Sequence, residues 1–153
     1  MVYIIGAGPG DPELITVKGQ RLLKEADVII YAGSLVNPAL LDYAKADCEI
    51  YNSASMTLGE VIETITAAEQ EGKMTVRLHT GDPAIYGAIQ EQMDELSRRN
   101  IEYTVIPGVS SFLATAAALK QEYTLPEISQ TVIITRNEGR TPVPEKEKLK
   151  SLA

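Results

Sequence analysis

The chain has 153 residues, 44% of them hydrophobic, which is enough for one folded domain and part of a second. A formal net charge of −7 argues against a nucleic-acid-binding surface. The single cysteine cannot form an internal disulfide, and no apolar run approaches the roughly 18 residues of a membrane helix. We therefore expect a cytoplasmic protein with no signal peptide and no membrane or nucleic-acid partner.

The first predicted elements are a short apolar strand, a glycine-rich turn and a helix. The strand and turn occupy residues 2–12, Val-Tyr-Ile-Ile-Gly-Ala-Gly-Pro-Gly-Asp-Pro, and the helix is predicted over 14–26. This order is typical of an α/β domain with a ligand at the carboxyl edge of a parallel sheet. A dinucleotide fingerprint is excluded, because Asp11 replaces its third glycine and would repel a pyrophosphate. A tight turn without a ligand stays open as the alternative.

The rest of the chain alternates strands and helices. Thr57 and Glu60 have the spacing of a capping box at the start of one helix, and Gly72 is placed to end it. Strands joined by helices predict right-handed parallel crossovers, and hence an α/β fold with a parallel five-stranded sheet flanked by helices. The later strands are predicted at 27–31, 49–51, 73–79 and 102–106, and the later helices at 38–46, 58–71, 88–100 and from 111 to about 119.

Three of the predicted loops are built from glycine, proline and small polar residues. They are Gly6-Ala-Gly-Pro-Gly-Asp-Pro12, Gly81-Asp-Pro83 and Pro107-Gly-Val-Ser-Ser111, and each directly follows a strand. Because the carboxyl ends of parallel strands meet at one edge of a sheet, we expect the three loops to form one ligand crevice there.

In this order and spacing, the three motifs resemble those of the tetrapyrrole methylases, which use S-adenosylmethionine and lack the usual methyltransferase fold. Two further stretches, Tyr31-Ala-Gly-Ser-Leu-Val36 and Arg140-Thr-Pro-Val-Pro-Glu145, are similar to the members that methylate precorrin-4 or cobalt-precorrin-4 at C-11. The resemblance implies this reaction, in cobalamin biosynthesis. A uroporphyrinogen-III methyltransferase or diphthine synthase type of enzyme stays open, as does a non-enzymatic nucleotide-binding module.

The resemblance also implies the residues of the site, but no catalytic base and no metal ligands. Ser110 could instead be a helix cap, Asp82 could cap a turn, and Asp11 could order its own loop. We expect His79, the only histidine, to be structural. The implied cofactor-binding residues, for S-adenosylmethionine and its product S-adenosylhomocysteine, are Pro9, Thr80, Gly81, Asp82, Ile85, Ser110 and Ser111, and the implied substrate-binding residues are Asp11, Tyr31, Ala32, Gly33 and Ser34.

Family members have two domains and form homodimers. The resemblance implies a homodimer here, but nearly all of the second domain is absent from this chain. The resemblance places the first domain at 1–125, and a linker with the first strand of a truncated second domain at 126–153, that strand covering 131–135. We expect the chain alone to be largely inactive. A tetrapyrrole substrate carries many carboxylates, so local basic residues must outweigh the acidic net charge, with Arg77, Arg136 and Arg140 as candidates.

Overall fold

The computed structural model describes residues 1–139 and 142–152, in two compact units, Met1–Thr115 and Ala116–Ala153. The first unit contains one parallel sheet of five strands, in the order β3-β2-β4-β1-β5. The predicted α/β fold and its parallel five-stranded sheet are therefore confirmed. The strands are β1 Val2–Gly6, β2 Val28–Tyr31, β3 Glu49–Asn52, β4 Thr75–His79 and β5 Tyr103–Ile106.

The sheet separates two hydrophobic clusters. On one face, Ile5 of β1 and Leu78 of β4 belong to a cluster with the first helix. On the other face, Val2 and Ile30 belong to a cluster with the second and third helices. β4 lies at the centre of the sheet, and all five of its residues are buried. The helices are α1 Val17–Glu25, α2 Leu58–Gln70, α3 Gln90–Arg98, α4 Ser111–Leu119 and α5 Leu149–Leu152.

Helix α2 begins at the predicted residue, Leu58, and ends at Gln70, one residue before the predicted end. The Thr57 amide donates to Glu60 Oε2 at 2.7 Å, and the Glu60 amide donates to Thr57 Oγ1 at 3.3 Å. These reciprocal bonds satisfy two amides of the first turn, so the capping box is confirmed. Gly72 follows the helix with a φ of +71°, which suits a residue without a Cβ.

Three predicted helices differ from the structure. The helix expected over 14–26 begins at Val17, because Thr16 caps it by accepting from the Gly19 amide at 3.1 Å. The segment 38–46 forms a 3₁₀-helix over Pro38–Tyr43, and Asn37 caps it as its sequence position indicates. The helix expected over 88–100 begins at Gln90, because Ala88 has a φ of +50° that no right-handed helix allows.

The second unit contains a 3₁₀ turn at Glu145–Glu147 and the short helix α5. The segment 131–135, predicted as the first strand of a second domain, forms no strand among the described residues, and its place in such a domain stays a prediction. A strand requires a neighbour to pair with, and among the described residues none lies beside it. The domain boundary at residue 125 stays a prediction.

Within 1–139 and 142–152, every helix is too short or too polar to cross a bilayer.

Candidate functional site

Three glycines bring the loops after β1, β4 and β5 into direct backbone contact. A Cβ built on Gly6 would lie 2.5 Å from the Gly81 oxygen and 2.6 Å from Gly108 Cα. A Cβ built on Gly108 would lie 2.1 Å from that same oxygen. Only glycine allows this approach at Gly6 and Gly108, whereas Gly81 has room for a Cβ but a φ of +58° that favours glycine. The structure thus brings the three predicted loops together at one edge of the sheet.

Hydrogen bonds hold the crossing together. Gly8 and Gly81 exchange two of them, with the Gly81 amide donating to the Gly8 oxygen at 2.9 Å and the reverse bond at 3.2 Å. Asp82 links the other loops, because its Oδ2 accepts from the Gly108 amide at 3.0 Å and its Oδ1 accepts from the Ala84 amide at 2.8 Å. Asp82 therefore caps its own turn, as the alternative interpretation expected, and also fixes the loop after β5.

The loop after β2 joins the same edge. Asn37 Nδ2 donates to the Gly10 oxygen at 2.7 Å and so ties this loop to the glycine-rich turn. Gly33 has a φ of +67°, and a Cβ there would lie 2.9 Å from Ala54 Cβ. Gly33 is thus required by the backbone, whatever its role toward a substrate.

Beside the crossing lies a cavity of about 310 Å³. Thr80, Ile85 and Ser111 of the predicted cofactor set line it, together with Ala32 of the predicted substrate set. These four residues come from three different loops, so the fold assembles one site from both predicted sets. A larger cavity of about 580 Å³ belongs to the second unit and is lined by the basic candidate Arg136, but by none of the predicted cofactor-binding or substrate-binding residues.

The other predicted site residues are not among the residues that line this cavity. Ser110 is buried, and its carbonyl oxygen accepts from the Leu113 amide at 3.1 Å, at the start of α4. Asp11 Oδ1 accepts from the Glu13 amide at 2.9 Å and therefore orders its own loop. Their roles toward a ligand stay predictions, as do those of the remaining members, Pro9, Gly81, Asp82, Tyr31, Gly33 and Ser34.

The cavity has four further lining residues, Leu35, His79, Tyr86 and Gly87. Tyr86 has a φ of +56°, and a Cβ on Gly87 would lie 2.2 Å from the Pro83 oxygen, so the loop is tightly wound. A left-handed tyrosine is strained, and such strain concentrates at functional sites. The only sequence signal was the placement of Tyr86 just after the Gly-Asp-Pro motif.

His79 is 4% exposed and ends β4 directly before the Thr80 loop. Burial and the nearby charge of Arg77 lower its pKa to about 3. Its Nε2 atom has no hydrogen-bond partner among the described residues. The imidazole is therefore neutral, and none of the described residues brings a charged side chain to this cavity wall. No cluster of metal-ligating side chains occurs in the described parts of the chain.

Comparison with known proteins identifies the family. A family model described as tetrapyrrole (corrin/porphyrin) methylases matches residues 1–153. The chain belongs to the tetrapyrrole methylases. A cobalt-precorrin-4 C(11)-methyltransferase of Methanocaldococcus jannaschii is 66% identical over 99% of this tetrapyrrole methylase chain and 59% of its own length. The chain thus spans about three fifths of that relative.

Two solved structures agree with this placement. The X-ray structure of a cobalt precorrin-4 methyltransferase matches 99% of this chain and 63% of its own, at 56% identity and a TM-score of 0.96. A uroporphyrin-III C-methyltransferase of Thermus thermophilus, complexed with S-adenosylhomocysteine, matches 85% of this chain and 52% of its own, at 34% identity and a TM-score of 0.70. The first unit therefore has the fold of this methylase family.

The glycine crossing predicts an unequal response to alanine. Gly108→Ala should lower the free energy of unfolding by about 3 kcal/mol or more, because the backbone oxygen at 2.1 Å cannot move away without breaking the crossing. Gly59→Ala on helix α2 is the matched control and should be neutral or stabilising, since its nearest neighbour is 3.8 Å away. Urea unfolding measures both, and equal effects would contradict the tight crossing.

The buried His79 predicts a loss of stability in mild acid. Its pKa is about 3 when folded and about 6.5 when unfolded, so between these values the unfolded chain binds the extra proton and stability falls as the pH falls. This single group should cost about 2 kcal/mol at pH 5 relative to pH 7.5. The measurement is urea unfolding at both pH values, in the parent and in His79→Gln. If the free energy of unfolding of His79→Gln changed with pH as much as that of the parent, the buried, neutral state of His79 would be contradicted.

Proposed function

We propose that the protein containing this chain transfers a methyl group from S-adenosylmethionine to C-11 of precorrin-4 or cobalt-precorrin-4. The observation that carries the proposal is the uncharged cavity beside the glycine crossing, in a chain 66% identical to a cobalt-precorrin-4 C(11)-methyltransferase. Because the chain spans 59% of that relative, the activity is proposed for a protein with a second domain. The two-domain protein, its homodimer and its cytoplasmic location belong to the same proposal.

The residues present fit S-adenosylmethionine. Glycines at the crossing leave backbone groups accessible where a Cβ would otherwise intrude, and Thr80, Ile85 and Ser111 line the adjoining cavity. Ile85 offers an apolar surface, and the first amides of α4 after Ser110 suit a carboxylate. When bound, the cofactor supplies an activated methyl group on a sulfonium. A neutral wall suits this cation, because a protonated His79 would repel it.

The chain's own contribution is then alignment. The sulfonium is already a good leaving group, so a site that excludes water and orients the acceptor carbon is sufficient. The cavity wall includes His79, Thr80 and Ser111, and the Nε2 atom of His79 has no hydrogen-bond partner among the described residues. Ala32 and Leu35 would meet the substrate from the loop after β2, and Tyr86 from the loop after β4. Of the basic candidates for its carboxylates, Arg77 lines a second cavity of the first unit, Arg136 lines the cavity of the second unit, and Arg140 lies outside the described residues.

Cofactor binding is testable on this chain. S-adenosylhomocysteine should bind measurably in calorimetry, while NAD and ATP should not. Ser111→Phe should abolish binding, because the ring would fill the cavity. Thr115→Phe is the control. Thr115 lies one turn further along α4 and does not line the cavity. Binding of S-adenosylhomocysteine that survives Ser111→Phe would place the cofactor elsewhere, and binding of NAD or ATP instead would favour a nucleotide-binding module.

Substrate choice is testable on the chain extended by the remaining part of the Methanocaldococcus relative. We expect methylation of cobalt-precorrin-4 but not of uroporphyrinogen-III, and little turnover by the unextended chain. Ala32→Asp should lower turnover at least about tenfold, or ~1.4 kcal/mol, because a carboxylate on the cavity wall repels those of the substrate. Ala39→Asp, exposed and outside the cavity, is the control. Preference for uroporphyrinogen-III in single-turnover assays would assign the chain to that branch of the family.

A further inference from the structure

Strand β4 presents an unusual polar face at the centre of the sheet. Thr75, Arg77 and His79 alternate along the strand and so lie on one face, and all three are at least 93% buried. This face packs toward the cluster that contains α2 and α3. A buried arginine requires a compensating partner, because removing its charge from water costs several kcal/mol.

Arg77 has only neutral partners. Its Nε donates to Gln92 Oε1 at 3.0 Å, and its Nη1 donates to the Ile30 carbonyl oxygen at 3.0 Å. In residues 1–139 and 142–152, no carboxylate lies within 4.0 Å of the guanidinium, and Nη2 forms no hydrogen bond. Burial lowers the Arg77 pKa to about 10, and no nearby acid opposes that shift. The charge is thus desolvated without a counter-ion.

A cavity of about 200 Å³ adjoins this guanidinium. Arg77, Gln92, Ser53 and Thr57 are among its lining residues. The Ser53 hydroxyl donates to the Tyr31 carbonyl oxygen at 3.0 Å, and the Thr57 hydroxyl donates to Glu60 Oε2 at 2.8 Å. Met56 and Val61 supply apolar surface. The cavity is separate from the one that Thr80, Ile85 and Ser111 line, although the loop containing Gly87 and Ala88 contributes to both.

We propose that this second cavity binds a carboxylate group, which pairs with the guanidinium of Arg77. A guanidinium presents its donors as a planar fork that matches the two oxygens of a carboxylate. Two of those donors are held by Gln92 and Ile30, which fixes the plane of the fork before any ligand arrives. An anion in the cavity would supply the missing counter-charge.

A purely structural role for Arg77 would use the same two neutral hydrogen bonds. That role needs no positive charge, since a neutral donor could join Ile30 to Gln92, and it gives no reason for a cavity at the guanidinium. Glu91 also lines the cavity from the first turn of α3, where it is exposed and unpaired with Arg77. Its charge opposes an incoming anion, which provides a second way to test the site.

The carboxylate has two possible sources, a free small anion or an acidic side chain of the tetrapyrrole. The second source rests on the proposed function, whereas the anion site does not. Both share the same chemistry at Arg77, so acetate is the first probe and uroporphyrin, a stable tetrapyrrole with carboxylate side chains, is the second.

The first test compares sodium acetate with sodium chloride at equal ionic strength. Acetate should raise the melting temperature of the parent chain, by about 3 °C at a tenfold excess over its Kd, and should shift the imidazole ¹⁵N signals of His79, the only histidine. Arg77→Met should lose both effects, and Arg77→Lys should retain only part of them because it lacks the fork. Equal responses of parent and Arg77→Met would overturn the proposal.

Glu91→Gln keeps the test informative if Arg77→Met fails to fold. Removing this wall charge should tighten acetate binding at least about twofold. Glu63→Gln, an exposed change on α2 outside the cavity, has the same effect on net charge and should leave acetate binding unchanged. If both variants bound acetate equally more tightly than the parent, the change in net charge alone would explain the effect, and the proposed site would be overturned.

Uroporphyrin then separates the two sources. Loss of the acetate-induced His79 shift when uroporphyrin is added would support the site and assign it to a substrate side chain. An acetate shift that persists would support the site for a free anion. S-adenosylhomocysteine binding is measured on the same samples, so that a failed proposed function is distinguishable from a failed anion site.

Discussion

The contact among Gly6, Gly81 and Gly108 is the constraint on which the candidate site depends. The backbones of Gly6 and Gly108 lie so close to the Gly81 carbonyl oxygen that neither position has room for a Cβ. The hydrogen bonds of Gly8 and Asp82 then hold the loops in register. Because the contact is made by backbone atoms, it does not depend on the side chains that surround the cavity.

The architecture was predictable because its signals are local. Apolar strands, loops of glycine and proline, and the Thr57–Glu60 capping box each depend on a few neighbouring residues. The crossing of three loops followed from topology, since parallel strands end at one edge. The helix starts were less predictable, because Pro38 can begin either type of helix and Ala88 adopts a left-handed conformation that its residue type disfavours.

The site was only partly predictable. Thr80, Ile85, Ser111 and Ala32 were expected and line one cavity, but Leu35 and Gly87 carry no chemical signal in the sequence. His79 was expected to be structural, and only the fold shows that it is both buried and part of the cavity wall. Burial and the distance to Arg77 are properties of the packed sheet, so no sequence pattern could indicate the low pKa of its imidazole.

Burial differs between the central strand β4 and the helix α4. All five residues of β4 are buried, whereas α4 has no buried residue even though most of its side chains are apolar. Amide groups that are deeply packed exchange with solvent through larger openings than those on a thinly packed helix. The chain should therefore open from α4 inward, and the amides of Ser111 and its neighbours should exchange long before those of β4. Ser111 lines the cavity from the start of α4. Local opening of this helix would therefore give a ligand access to the cavity from that side.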